Sequence, residues 1–286
     1  MKKIFKERNF KPTDCNLVST EPYFNFSSTK ETMNEIFFEE YQFPAIMRTN
    51  PAFLSAYKYQ SESAQRLSRY CLVVDSGYSF THIVPMCDGR VMGDFVIRYV
   101  KIDSLVCDVF FSFSLTIGGK ILTNRLVEIV SYRHLDVRSE VYIMNQCKED
   151  VCYVSTDFWK DLACARANPR KNPILREYVL PDYADVHRGY VRDPSNEHSS
   201  QNDGALSSDQ TRTTQQSYIL RLNNERFTIP ELLFHPSDVG YAEMGLTEAI
   251  GYLLTERLPS AVRPGAWANC LVTGGNAHFP GFVERL

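Results

Sequence analysis

The 286-residue sequence lacks paired cysteines, a strong net charge and a long uninterrupted apolar run. None of its 8 cysteines is arranged as Cys-x-x-Cys, which argues against a zinc site or a disulfide framework. Several of them, such as Cys71 and Cys270, sit in apolar runs, as reduced and buried thiols do. A net charge of −3 gives no global electrostatic reason to bind nucleic acid or an anionic membrane. We therefore expect an intracellular protein whose partners are proteins.

The sequence also lacks a segment able to cross a membrane. Its most apolar run, Val109–Leu115, is too short to span, and Asp103 and Asp108 interrupt the residues before it. The first residues, Met1–Arg8, are charged and have no apolar core behind them, unlike a secretory signal. What the chain does contain is 44% hydrophobic residues, enough for the core of one large domain or of two lobes.

The most informative stretch is Cys71–Pro85, in which two apolar runs flank a polar turn. This pattern predicts strand, turn and strand. In a phosphate-binding hairpin the backbone N–H groups of the turn point at an anion, glycine removes an obstructing side chain, and an acidic residue holds a metal or its waters. Asp75 and Gly77 have the residue types for these roles. The alternative is an ordinary buried hairpin that ends in a polar turn.

The order of the remaining elements predicts an α/β protein. Ser28 and Glu31 form a capping-box pattern that predicts a helix, and Asn50-Pro51 predicts the start of a second helix. A further helix is expected from Gly119, and the next one is expected to give way to a turn at Lys148.

Two later stretches complete the pattern. Residues 193–217 are almost devoid of apolar side chains and predict a disordered loop. A strand at Cys270–Val272 meets the turn Thr273–Asn276, whose two glycines allow a nucleotide to approach the backbone. On spacing alone, an ordinary tight turn between strand and helix is the alternative.

Three segments, in order, resemble the actin family. Asp-Ser-Gly-x-x-x-Thr-His-x-x-Pro at Asp75–Pro85 is similar to the family's second phosphate hairpin. Asn224–Pro236 and Leu271–Phe282 also look actin-like. The resemblance covers most of the chain and implies a two-lobed, ribonuclease H-like α/β fold, shared by actin and the heat-shock ATPases.

The resemblance also implies how the chain is divided. Residues 1–65 would form part of the first lobe and residues 66–286 the second, with 119–240 as a nested smaller subdomain. Nothing before Thr20 resembles the family's opening hairpin, and the sequence stops before its closing helices, so we expect a fragment with an incomplete first lobe. Extra residues relative to the family are expected at 101–116.

In the family, a nucleotide lies between the lobes, and the resemblance assigns its contacts residue by residue. The matching positions are Asp75 and Gly77 in the hairpin, Gly119, Lys148 and Glu149 near ribose and adenine, and Gly274, Gly275 and Phe279 in the adenosine turn. For Lys148 and Glu149 the alternative is a solvated pair on a helix. With one wall of the site missing, ATP or ADP would bind weakly and no cofactor would be required.

Two departures from the family count against catalysis. The acidic residue that usually follows the hairpin glycine is Tyr78, and the glutamine that orients the attacking water is Pro51, although His82 matches a histidine beside that water. Phosphoryl transfer depends on positioning such groups. We therefore expect no useful ATP hydrolysis and no metal site.

A narrower resemblance is to nuclear actin-related proteins. It rests on Thr20–Phe26, Phe38–Phe43, Tyr78–Phe80 and Asn145–Ser155. It implies a non-catalytic scaffold subunit, in the nucleus, of a chromatin-remodelling complex that exchanges a variant histone. The alternatives are a cytoplasmic, nucleotide-binding actin-like ATPase of the cytoskeleton and a truncated isoform without a function.

Overall fold

The computed structural model describes residues 11–23, 25–62, 69–95, 114–115, 117–168, 172–184, 186–192 and 218–286. The predicted loop at 193–217 and nearly all of the predicted extra residues at 101–116 lie outside the described residues. The helices are α1 (Ser27–Glu35), α2 (Pro51–Glu62), α3 (Gly119–Arg133), α4 (Val141–Val151), α5 (Phe158–Ala165), α6 (Glu225–Glu231), α7 (Leu246–Tyr252), α8 (Arg263–Ala268) and α9 (Phe282–Arg285). The strands are β1 (Leu17–Thr20), β2 (Ile46–Thr49), β3 (Tyr70–Ser76), β4 (Thr81–Cys87), β5 (Arg90–Val91), β6 (Ser114–Leu115), β7 (Arg176–Val179), β8 (Tyr190–Arg192), β9 (Ile219–Leu222) and β10 (Cys270–Thr273).

The central sheet has the order β10-β3-β4-β5, and β6 also pairs with β4. β3 and β4 are antiparallel, with Asp75 opposite His82, and this confirms the predicted strand, turn and strand. β10 runs parallel to β3 and places Thr273 beside Asp75. The register therefore brings the ends of two strands that lie about 200 residues apart in the sequence to one edge of the sheet.

Both faces of β3 and β4 are buried, because helices pack on each side. On one face, Ala52 and Ala56 of α2 contact Val73 and its neighbours. On the other face, a larger core joins the sheet to α3, α4, α6, α7 and α9. Its strand residues include Leu72, Val74 and Ile83, and its helix residues include Leu122, Leu126, Met144, Ile229, Leu246 and Phe282. The β-branched runs of the sequence thus correspond to a sheet covered by helices.

A separate three-stranded antiparallel sheet, β8-β7-β9, packs against α4. Its central strand buries Tyr178 and also Glu177. The Glu177 carboxylate accepts hydrogen bonds from Arg192 at 2.7 Å and from Arg221 at 2.9 Å. These two cations compensate the desolvation of the buried carboxylate, and their combined effect lowers the pKa of Glu177 although burial alone would raise it.

The N-terminal part forms a two-stranded parallel sheet, β1 and β2, next to α1. The capping-box prediction is wrong, because α1 begins at Ser27 after an extended Phe26 and its N-terminus has no side-chain cap. The prediction at Asn50-Pro51 is confirmed, since α2 begins at Pro51. The Asn50 side-chain amide donates to the carbonyl of Glu21 at 3.1 Å and so ties the start of α2 to the end of β1.

Two other expectations are corrected. The turn expected at Lys148 is absent, since α4 continues to Val151 and Lys148 lies on its buried side. Cys270 is exposed rather than buried, whereas Cys71 is buried as expected. In the part of the chain that the structure describes, no helix has both the length and the apolar character needed to cross a membrane.

Candidate functional site

The hairpin turn between β3 and β4 forms one wall of the candidate site. The Gly77 N–H donates to the carbonyl of Phe80 at 2.9 Å and closes the turn. A Cβ atom at Gly77 would lie 3.2 Å from that same carbonyl, so glycine relieves crowding here. Asp75 sits at the end of β3, where partial burial raises the pKa of its carboxyl group.

The glycine turn after β10 is fastened to this hairpin. Gly274 has φ +97°, and a Cβ there would lie 2.3 Å from the carbonyl oxygen of Ser76. A side chain would therefore force the two turns apart. The buried amide of Asn276 donates to the carbonyl of Gly77 at 2.8 Å and to Oγ of Ser76 at 3.1 Å.

The first turn of α3 is the third component. The Gly119 N–H donates to the carbonyl of Gly77 at 3.0 Å, and the Lys120 N–H donates to the carbonyl of Tyr78 at 2.7 Å. These hydrogen bonds satisfy donors that a helix N-terminus leaves unpaired. Three segments that are distant in sequence, around residues 77, 119 and 276, therefore form one continuous backbone surface.

Lys148 is buried beneath this surface, with 2% of its side chain area exposed. Its ammonium group donates to the carbonyl of Gly119 at 3.1 Å, to Oγ1 of Thr123 at 3.0 Å and to Oδ1 of Asn145 at 2.9 Å. An ammonium group has three N–H donors, so all of them are used within the protein. Burial lowers the pKa of Lys148, with Glu149 acting in the opposite direction.

The remaining predicted residues differ in their positions. Glu149 is exposed and accepts a hydrogen bond from the Asn145 side chain at 2.7 Å, so it is the solvated member of the predicted pair. Gly275 has open space where a Cβ would be. Phe279 is buried in the main core, and its N–H donates to the carbonyl of Asn276 at 3.2 Å. The structure therefore brings the five glycine and aspartate positions together, sets Lys148 beneath them, and places Phe279 in the core.

Two aromatic rings lie near His82, the residue that matches the family's histidine beside the attacking water. The ring of His82 lies 5.5 Å from the ring of Tyr23 and 6.0 Å from that of Phe80. Burial, together with the nearby charge of Asp75, raises the pKa of Tyr23. Among the described residues, no group of three His, Cys, Asp or Glu side chains is arranged to hold a metal ion.

Sequence reasoning missed three residues that hold the site together: Asn276, Thr123 and Asn145. Asn276 was part of the quoted turn, and an asparagine directly after two glycines is a signal for side-chain to backbone hydrogen bonding. Asn145 lies one helical turn before Lys148, so the i, i+3 spacing was visible in the sequence. Thr123 gave no signal of its own, because its contact depends on how α3 packs against α4.

Two cavities lie apart from this site. One, of about 220 Å³, is lined by residues that include Ile129, Phe158 and Glu231. The other, of about 410 Å³, is lined by residues that include Cys152, Tyr153 and Arg226. Burial raises the pKa of the Cys152 thiol to about 12, so this cysteine is an inert part of the wall.

The family model described as Actin matches residues 1–286. The chain belongs to the actin family. It is 38% identical to actin-related protein 6 of Drosophila melanogaster, over 95% of the chain and 61% of that relative. It is 36% identical to the actin-like protein ARP6 of Cryptococcus neoformans, over 97% of the chain and 54% of the relative. For actin-related protein 6 of Oryza sativa subsp. japonica the values are 32%, 96% and 64%.

These similarities confirm the predicted membership of the actin family, its actin-like α/β fold and the narrower resemblance to actin-related protein 6. This actin-family chain spans about 60% of the length of the curated relatives that it matches. The activity and partners of the whole protein are therefore matters for proposal.

Proposed function

We propose that this protein is a non-catalytic scaffold subunit of a nuclear chromatin-remodelling complex that exchanges a variant histone. The observation that carries the proposal is the similarity to actin-related protein 6 along almost the whole chain. The nuclear location and the remodelling partners follow from the resemblance to that subclass of the family.

The contacts at the hairpin support a non-catalytic role. Mg²⁺ prefers carboxylate and water ligands in near-octahedral geometry, and the residue after Gly77 supplies the ring of Tyr78 instead of a carboxylate. Pro51 begins α2 without a side-chain group that is able to orient a water. The rings of Tyr23 and Phe80 flank His82. Phosphoryl transfer needs the metal, the water and the phosphate to be positioned together, so these replacements remove most of the rate.

The exposed side chains support the proposal that the partners are proteins. Large aromatic side chains are exposed at Tyr132 (92%), Trp159 (76%), Tyr142 (72%) and Trp267 (70%). Aromatic residues are enriched in protein–protein interfaces, where they provide most of the binding energy. The net charge of −3 provides no comparable attraction for the phosphates of a nucleic acid.

A second candidate function is a nucleotide-binding, actin-like ATPase of the cytoskeleton. The convergence of Asp75, Gly77, Gly119 and Gly274 on one surface favours it. Such an enzyme would release phosphate from ATP at a rate that depends on Asp75, whereas a scaffold would assemble without it.

The test is affinity capture of the tagged protein from the nuclei of its own cells, with mass spectrometry of the partners. The tag alone and the Asp75→Asn variant serve as controls. We expect subunits of a chromatin remodeller with the wild-type protein and with Asp75→Asn in equal yield, and none with the tag. Cytoskeletal partners without remodeller subunits, or partners lost with Asp75→Asn, would contradict the scaffold proposal.

A further inference from the structure

The backbone of Tyr78 is fixed in place. Its carbonyl accepts the Lys120 N–H at 2.7 Å, and a Cβ built at Gly118 would lie 2.6 Å from that carbonyl oxygen. The chain before it is fixed as well, because the Gly77 carbonyl accepts from Gly119 and Asn276. The tyrosine side chain therefore starts from a rigid base and has few directions open to it.

The Tyr78 ring lies on the surface formed by Gly119 and Lys148, here named the Gly119 ledge. A Cβ at Gly119 would lie 3.3 Å from Cδ2 of Tyr78, which is closer than ordinary van der Waals contact. The ammonium of Lys148 lies 5.8 Å from the centre of the same ring. With 48% of its area exposed, Tyr78 has one side on the ledge and the other in solvent.

The Tyr78 ring gives the buried ammonium group of Lys148 a favourable electrostatic contact. Lys148 is a buried cation, and the residues that it hydrogen-bonds are neutral. The negative face of an aromatic ring attracts a cation at this distance, and more strongly when the cation is desolvated. Because the three N–H donors of Lys148 are already used, an incoming ligand gains no hydrogen bond from it. A ligand would have to displace the ring without a compensating contact.

We propose that the Tyr78 side chain is the internal occupant of the Gly119 ledge and excludes the sugar of a nucleotide from it. The residue thereby determines ligand specificity: the site discriminates against phosphorylated nucleosides such as ATP and ADP. This inference does not rest on the scaffold role, because it concerns binding at the ledge and not the partners of the protein.

The test is isothermal titration of the full chain with ATP, with and without Mg²⁺, using the wild type and Tyr78→Ser. Removing the ring opens the ledge, and we expect affinity to rise about tenfold, the scale of a lost ring–cation contact. Tyr78→Phe keeps the ring and should bind as weakly as the wild type. Tyr132→Ser, which removes a 92% exposed tyrosine from the same helix that begins at Gly119, is the matched control and should leave affinity unchanged.

Equal affinities for the wild type and Tyr78→Ser, including binding by neither, would overturn the proposal. So would a loss of affinity in Tyr78→Ser, because it would make the ring a ligand contact instead of an occupant. If Tyr78→Ser does not fold, as judged by circular dichroism, Tyr78→Ala gives the same reading, since it also removes every side-chain atom beyond Cβ and so opens the ledge. Partner capture with Tyr78→Ser should match the wild type, which separates a failure here from a failure of the scaffold role.

Discussion

The central sheet and the N-terminal sheet differ in how they are covered. In β3 and β4, residues on both faces are buried, and helices pack against each face. In β1 and β2 every residue is exposed or half-buried, and the paired residues Val18 and Met47 are 57% and 54% exposed. No residue of α1 is buried within the described part of the chain.

This difference indicates which of the two sheets contributes more to the free energy of unfolding. Apolar burial is the main favourable term in folding, so the region around β3 and β4 should resist local opening more than β1, β2 and α1. The N-terminal region nevertheless has anchors. Phe37 is buried against Phe43, and Phe53 packs on the central sheet.

The largest effect is expected at Gly274, where the two turns meet. Gly274→Ala combines a strained positive φ with a Cβ only 2.3 Å from the Ser76 carbonyl. Strain and overpacking together should cost about 3 kcal/mol or more in the free energy of unfolding, measured by urea denaturation. Gly275→Ala is the control, since its Cβ would enter open space and should cost less than about 1 kcal/mol. Equal losses in the two variants would show that the turns are not tightly joined.

The same substitution in the two sheets compares them directly. Val74→Ala removes two methyl groups from a site with 0% exposure, while Val18→Ala removes them from a site with 57% exposure. We expect a loss of about 2 kcal/mol for Val74→Ala and less than about 0.5 kcal/mol for Val18→Ala, again by urea denaturation. A large loss for Val18→Ala would mean that the outer face of β1 is covered in solution.

A smaller effect, which depends on pH, is expected at Asp75. Burial raises the pKa of the Asp75 carboxyl group above its ordinary value of 3.8. At pH values between the unfolded and the folded pKa, the folded state keeps the proton on Asp75 while the unfolded state has released it. The favourable contribution of this proton is complete below pH 3.8 and is lost as pH rises through the folded pKa. Asp75→Asn should therefore raise the melting temperature at pH 7, and the gain should shrink as the pH falls toward 3.8. A melting temperature that drops at pH 7 would indicate that the charged carboxylate stabilises the fold.

Local patterns in the sequence were sufficient for the hairpin and for the glycine turn. Continuous apolar runs on both sides of Gly77, and two glycines after a β-branched strand, leave few other conformations. That the two turns lie together was predicted only from the family resemblance. The register that pairs Thr273 with Asp75 shows how the sheet brings them together. The start of α1 was harder to predict, because Ser28 suits a cap position, whereas in the structure the extended Phe26 is the N-cap and the helix begins at Ser27.

The role of Lys148 could not be predicted from the sequence. Asn145, Gln146 and Glu149 near it in the chain are polar or charged, which suits both a ligand contact and a solvated pair. Burial of its ammonium depends on the packing of α3 against α4, and its three acceptors come from residues 119, 123 and 145. The position of the Tyr78 ring depends on the same packing. Tertiary contacts of this kind leave no periodic signal in the sequence.

We propose that the actin-like site of this protein does not turn over ATP. The most direct measurement is phosphate release by the purified chain with Mg²⁺ and ATP, compared with Asp75→Asn under the same conditions. We expect both proteins to stay at the same background rate. Phosphate release that rises with protein concentration and disappears in Asp75→Asn would contradict it.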